Sequence, residues 1–182
     1  MGGVRVRVRG SLGPARVSLQ VDVGFGDIVV PGPTMVTYPS LLDFPPAQLA
    51  GYTRESTIAE KLQAMVKLGV LNSRMKDFYD IWMLSRTFGF DGRTLSEAIE
   101  KTFKNRRTPI VAMPEALQAT FAQDPAKQTQ WQAFTVRSQI ADAPKALADV
   151  VTQVKTFLQP ILTALAAGQP FKGQWKALGP WD

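Results

Sequence analysis

The chain has 182 residues, 45% hydrophobic and 20% charged, with a formal charge of +6 and a pI near 9.8; this is globular composition, large enough to bury a core. It contains neither cysteine nor histidine, which excludes thiol catalysis, disulfides, Cys/His zinc sites and any Ser-His-Asp triad. Chemistry must therefore rest on carboxylates, lysine, arginine and a hard metal ion, and the positive charge favours a polyanionic partner: nucleotide, RNA or DNA.

No apolar run approaches the roughly 20 residues that span a bilayer, and the first residues lack a signal-peptide core, so a cytoplasmic protein is expected. From Val4 to Val8 the sequence alternates strictly, with Val4, Val6 and Val8 against Arg5, Arg7 and Arg9. Gly10, Gly13 and Pro14 break the pattern, and Val17, Leu19, Val21 and Val23 resume it against Ser18, Gln20 and Asp22. This predicts a β-hairpin with one buried face. Gly24-Phe25-Gly26-Asp27 and Pro31-Gly32-Pro33 open a long irregular connection reaching Pro45-Pro46, with Ile28–Val30 as a short strand and Gln48–Tyr52 as a further one. After Thr53 the periodicity turns helical. Helices are predicted at 55–68, 74–88, 94–104, 114–122, 125–139 and 144–166, the last kinked or broken at Pro160. Asp124-Pro125 is an N-cap followed by proline at the first helical position. The tail from Gly168, with Trp175 and Trp181, is expected to be irregular. The class is α+β: a small mixed β-sheet followed by an α-helical C-terminal region, residues 1–108 and 109–182, with the boundary near Arg106–Met113.

Three places carry candidate chemistry. On the helix at 55–68, Ile58, Leu62, Met65, Val66 and Leu68 form one apolar arc, and Lys61 projects inside it while Glu60 and Lys67 lie on the polar side. A lysine so placed either snorkels to water or meets an anion. On the next helix Asp77 and Asp80 share a face at i, i+3 and repel unless a cation stands between them. Arg74, Lys76, Lys61 or a metal could supply it, and a structural Asp–Arg pair is the plain alternative. Asp22 sits on the polar face of its strand, as a magnesium-binding carboxylate would, although solvated strand aspartates are commoner.

Four blocks then occur in order: Leu19-Gln20-Val21-Asp22-Val23-Gly24-Phe25-Gly26-Asp27, Tyr38-Pro39-Ser40-Leu41-Leu42-Asp43, Ile58-Ala59-Glu60-Lys61-Leu62-Gln63-Ala64-Met65-Val66, and Asn72-Ser73-Arg74-Met75-Lys76-Asp77-Phe78-Tyr79-Asp80. Thr102-Phe103 and Arg107-Thr108 follow. The run resembles the AbiEii/AbiGii nucleotidyltransferase toxins of abortive-infection and toxin–antitoxin systems, closely from Val4 to Thr108 and loosely beyond. The resemblance implies a DNA polymerase β-like core, here incomplete, that transfers a nucleotide from an NTP to RNA (tRNA) with Mg2+, and a cognate antitoxin as partner. It implies Asp22 as the third strand carboxylate and metal ligand, Lys61 on the triphosphate, and Asp77 and Asp80, with Arg74, completing the site. The family's Asp-x-Asp is missing: residues 1–21 hold no acidic residue. The chain is thus expected to enter the family pattern late, through an internal start or a truncated reading frame, and to be inactive alone. The alternative is a non-catalytic module that binds nucleotide, RNA or antitoxin. Exposed sheet edges invite association into oligomers, and Arg5, Arg7 and Arg9 with Lys101, Lys104, Arg106 and Arg107 are candidate phosphate contacts.

Overall fold

A computed structural model describes residues 3–182. β1 (Gly3–Leu12) and β2 (Ala15–Gly24) pair antiparallel, with Val4 opposite Val23, Val6 opposite Val21 and Val8 opposite Leu19. Gly13, at φ 57°, supplies the left-handed position of the turn. The alternation makes one face entirely apolar or glycine, yet that face is not buried: Val6 is 44% exposed, Val21 54% and Leu19 61%. The expectation of a buried face fails because none of the described elements packs across the ribbon.

β3 (Thr34–Tyr38) and β4 (Ala47–Gly51) form a second antiparallel ribbon, with Thr37 and Gln48 side chains bonded across it. β4 is the strand expected at Gln48–Tyr52, whereas β3 was hidden among prolines. Ile28–Val30 is not a strand. Val30 is buried, its N–H donates to Ser56 Oγ at 2.8 Å, and its carbonyl accepts from Thr53 Oγ1. Side chains of the following helix thus replace a neighbouring strand.

Thr53 caps α1 (Arg54–Leu68) by accepting from the Ser56 N–H. Ile58, Leu62 and Met65 of α1 and Phe78 and Ile81 of α2 (Met75–Thr87) are fully buried. Asp91 accepts from the Thr94 N–H to cap α3 (Gly92–Asn105), which lies against α1 through Leu95, Ile99 and Phe103. The helix predicted at 114–122 is divided: a 3₁₀ turn (Glu115–Leu117) meets α4 (Ala119–Ala122) at Gln118, whose backbone is extended. That break lets both Leu117 and Phe121 reach the core.

Asp124 caps α5 (Pro125–Arg137) through the N–H groups of Ala126 and Lys127. α6 (Leu147–Ala166) begins later than predicted, because the carbonyls of Pro144 and Lys145 accept from Trp131 and Gln128 instead. It then continues through Pro160 without the break that was one of the two outcomes expected there. The carbonyl that Pro160 cannot serve belongs to Thr156, and both residues lie on the exposed side of the helix, where such a group costs least.

The tail from Gly168 is irregular as expected, apart from one two-residue strand, but it is anchored to the core. β5 (Phe90–Asp91) pairs with β6 (Gln174–Trp175). Trp175 is buried and donates to the Ser85 carbonyl at 2.7 Å, while Trp181 donates to the Phe157 carbonyl and stacks on the Phe157 ring. The α+β class holds, its strands forming antiparallel two-stranded ribbons and its helices sharing one apolar core.

Candidate functional site

The apolar arc of α1 faces α2 and α3, so Lys61 enters the interior among Ile58, Leu62 and Met65. Its side chain is 18% exposed, and its Nζ lies 2.9 Å from Asp77 Oδ1 and 2.7 Å from Asp80 Oδ2. The two carboxylates, repelling at i, i+3, are thus bridged by one ammonium from the neighbouring helix. Each also has an outer cation: Arg74 Nε stands 2.7 Å from Asp77 Oδ2, and Lys76 Nζ 2.6 Å from Asp80 Oδ2. The Arg74 contact is close but off the hydrogen-bond axis, since Asp77 Oδ2 has no donor in bonding geometry. Burial by itself lowers the Lys61 pKa, but hydrogen bonds and charge from Asp80 and Asp77 outweigh it and leave the net shift upward. The ammonium is therefore fixed in its charged state.

A second ionic network flanks this one. Arg106, at the end of α3, reaches Asp27 Oδ1 at 3.0 Å and Glu60 Oε2 at 2.5 Å, and Tyr52 donates to Asp27 Oδ2 at 2.7 Å. Asn105 adds a bond to the Gly26 carbonyl, holding the loop after β2 onto α3. Burial raises the Glu60 pKa, with the Asp27 charge adding to it and Arg106 opposing it. Burial, helped by the hydrogen bond and charge of Asp27, pushes the Tyr52 phenol up to about 12.

Lys61, Arg74, Thr57, Gln63, Glu60, Asp27, Tyr52 and Arg106 line one cleft of about 370 Å³. Three cations and two carboxylates line it, and each cation is already paired, Lys61 and Arg74 with Asp77 and Arg106 with Asp27 and Glu60, so an incoming anion would share them with these acids. A larger groove of about 530 Å³ between α4 and α6 has Lys155 as its single ionisable group and offers no such chemistry.

Lys61, Arg74, Asp77 and Asp80 are thus brought together. Asp22 stands apart from them, 56% exposed on the polar face of β2, bonded to Arg5 at 2.6 Å and to Gln20. Arg5 holds its carboxyl below the usual range. Among the described residues no group of three carboxylates stands close enough to hold a metal ion; Asp77 and Asp80 are spent on cations, leaving Asp22 alone. The donor set present does not make a magnesium site.

Sequence reasoning missed Asp27, Tyr52, Glu60 and Arg106 as a unit. Helical phase puts Glu60 on the polar side of α1, and it is the loop carrying Asp27 that covers it. Arg106 lies 79 residues from Asp27, beyond any periodic rule, and its charge suggests a phosphate ligand although both its partners are internal.

A family model described as nucleotidyl transferase AbiEii toxin, type IV TA system, matches residues 1–153. No curated protein and no solved structure matches the chain.

Proposed function

The chain belongs to the AbiEii nucleotidyltransferase toxin family of type IV toxin–antitoxin systems, and on that footing we propose that it supplies the NTP-positioning side of a transfer to RNA, with tRNA as acceptor and a cognate antitoxin as partner. The observation that supports this reading most is Lys61. An ammonium has three donors; Asp77 and Asp80 engage two of them, and the third is available where Lys61 lines the cleft. A triphosphate there would find a cation already oriented and charged, with Arg74 on the same wall. Phosphoryl and nucleotidyl transfers depend chiefly on such positioning and charge neutralisation.

Asp77 and Asp80 are positioning residues in this reading, holding Lys61 toward the cleft. Asp22, which stands apart from the cleft in a pair with Arg5, takes no part in this positioning. Magnesium prefers one or two carboxylates along with phosphate oxygens and waters, and family chemistry places an Asp-x-Asp beside Asp22 that this sequence does not contain. No step through a metal follows from these residues, and the chain alone is expected to be inactive in transfer. Residues 1–108 would carry the nucleotide-facing unit and 109–182 the helical support.

The lone Asp22 also favours a second reading, a module that binds nucleotide, RNA or antitoxin without catalysis. Two measurements separate them. NTP binding followed calorimetrically, in wild type and in a Lys61→Met/Asp77→Asn/Asp80→Asn variant that leaves no buried acid unpaired, tests the site: binding should be lost in the variant. Incorporation from labelled NTP with magnesium and total tRNA tests transfer, and none above an Asp22→Ala control is expected. Equal NTP affinity in both proteins would reject the nucleotide site. Asp22-dependent labelling would reject the inactivity of the chain.

A further inference from the structure

The cleft at Lys61 adjoins a second depression. Beyond Arg106 runs a groove of about 640 Å³, formed by the last turn of α1, the end of α3 and the segment from Thr108 to Glu115. Arg106 lines both cavities. Gln63, on the cleft, also donates to Thr108 Oγ1, on the groove, at 2.7 Å. Glu60 of the cleft and Lys67 of the groove stand on one face of α1, two turns and about 10 Å apart along its axis. The groove has an apolar floor of Val66, Val111 and Met113, the last two exposed. Lys67 and Arg107 line it too, both exposed and neither ion-paired among the described residues. Its carboxylate, Glu115, is turned onto Gly69, where an added Cβ would meet Oε2 at 2.7 Å. Arg107 is placed there against backbone preference. α3 ends with the Thr108 N–H on the Phe103 carbonyl and the Arg107 N–H on the Lys104 carbonyl, which sets Arg107 at φ 49°. Glycine fits that position without strain; an arginine there costs the fold and pairs with no acid in it.

We propose that this groove takes the single-stranded end of the RNA acceptor, with its terminal base on the apolar floor and its phosphates on Lys67 and Arg107. The proposal rests on the nucleotide reading of the neighbouring cleft, because a transfer requires its two substrates to be held side by side. Arg106 and the Gln63–Thr108 bond form the partition between the two places. An unstacked base offers an apolar face, and the strand carries a phosphate at each step, so single strands bind where apolar surface and unpaired cations alternate. Arg106, already held by Asp27 and Glu60, divides the sites and leaves the phosphates to its neighbours. An acidic peptide would use the same two cations but would have no need of a groove that adjoins the cleft.

The test uses the full chain and a single-stranded RNA oligonucleotide carrying 4-thiouridine at its 3′ end. On irradiation the terminal base should cross-link at Val111 or Met113, and the same label at the 5′ end should not. With no nucleotide present, Lys67→Gln/Arg107→Gly should flatten the slope of log affinity against log salt by roughly 1.4, two phosphates at about 0.7 each. Arg107→Gly alone should weaken RNA binding while its urea midpoint stays at or above that of wild type, since glycine relieves the left-handed position. An arginine with a merely structural role would give a lower midpoint and unchanged RNA binding. NTP affinity, measured by calorimetry, should be the same in these variants as in wild type. The two readings therefore fail separately: the nucleotide site on NTP binding by the Lys61→Met/Asp77→Asn/Asp80→Asn variant, the groove on the RNA measurements. Terminal cross-links confined to the β1–β2 ribbon, an unchanged salt slope, or displacement of the RNA by polyglutamate as effectively as by unlabelled RNA overturns the proposal. So does a loss of NTP affinity in Lys67→Gln/Arg107→Gly, which would put those cations on the nucleotide and not on the acceptor.

Discussion

Replacing Lys61 with methionine removes the one charge that two carboxylates share. Asp77 and Asp80 keep 4% and 13% of their side-chain surface in water, so neither can rehydrate without opening the α1–α2 contact. Removing one member of a buried ion pair costs about 3–5 kcal/mol, because the other charge is left uncompensated. Here each acid retains an outer cation, Arg74 or Lys76, but those are 59% and 70% exposed and screened by solvent. The low end applies, a loss of about 3 kcal/mol, read as a lower urea midpoint at unchanged slope. The triple variant with Asp77→Asn and Asp80→Asn should recover more than half of it. The alkaline limb carries the same signature. Lys61 has a folded pKa above its ordinary 10.5, so its contribution is complete below that value and is lost as pH rises through the higher folded value. Wild type should therefore lose stability in that window more steeply than Lys61→Met. A Lys61→Met loss within the ~1 kcal/mol typical of surface pairs, or a triple variant no more stable than the single one, would refute the reasoning.

Salt-dependent RNA binding should involve Arg7 and Arg9 rather than Arg106, whose guanidinium is held by Asp27 and Glu60. Changing Arg7 and Arg9 to Gln should flatten the slope of log affinity against log salt by roughly 0.7 for each single-strand phosphate that is no longer neutralised, and an unchanged slope would show that these arginines touch no phosphate. Trp175→Ala should destabilise by about 3–5 kcal/mol, since it empties a core position and leaves the Ser85 carbonyl with the longer Leu178 N–H bond alone. A thermal midpoint close to wild type would mean the tail is not part of the cooperative unit.

The helices were legible because their signals are local. Thr53 and Asp124 mark their own helix starts, and the arcs of α1 and α2 read directly as Ile58, Leu62, Met65 and Phe78, Ile81. Lys61 and the two aspartates were legible for the same reason: phase alone turns them inward. The register of the first ribbon could be read from its alternation, but whether its valine face is covered depends on elements the alternation does not mention. β3 was obscured because Pro33 and Pro39 flank a run of five residues. Trp175 and Trp181 gave no periodic pattern, since their partners Ser85 and Phe157 come from other helices. The Asp27–Arg106–Glu60 network joins a loop, a helix end and a helix middle, and no spacing rule links those three.

The pairing of β5 with β6 also bears on how the protein is made. Asp91 and Gln174 are 83 residues apart, and closing so long a loop is entropically slow compared with the neighbouring contact of α1 with α2. During synthesis the Lys61–Asp77–Asp80 cluster can assemble as soon as α2 is clear of the ribosome, long before Trp175 exists. Phe90 and Phe157, which the tail tryptophans cover, stay exposed to chaperones and proteases through that interval. A ribosome stalled after α6 would therefore hold a chain with its ionic cluster formed and its aromatic seam open, making the emergence of Trp175 and Trp181 the point at which that seam is closed to proteases.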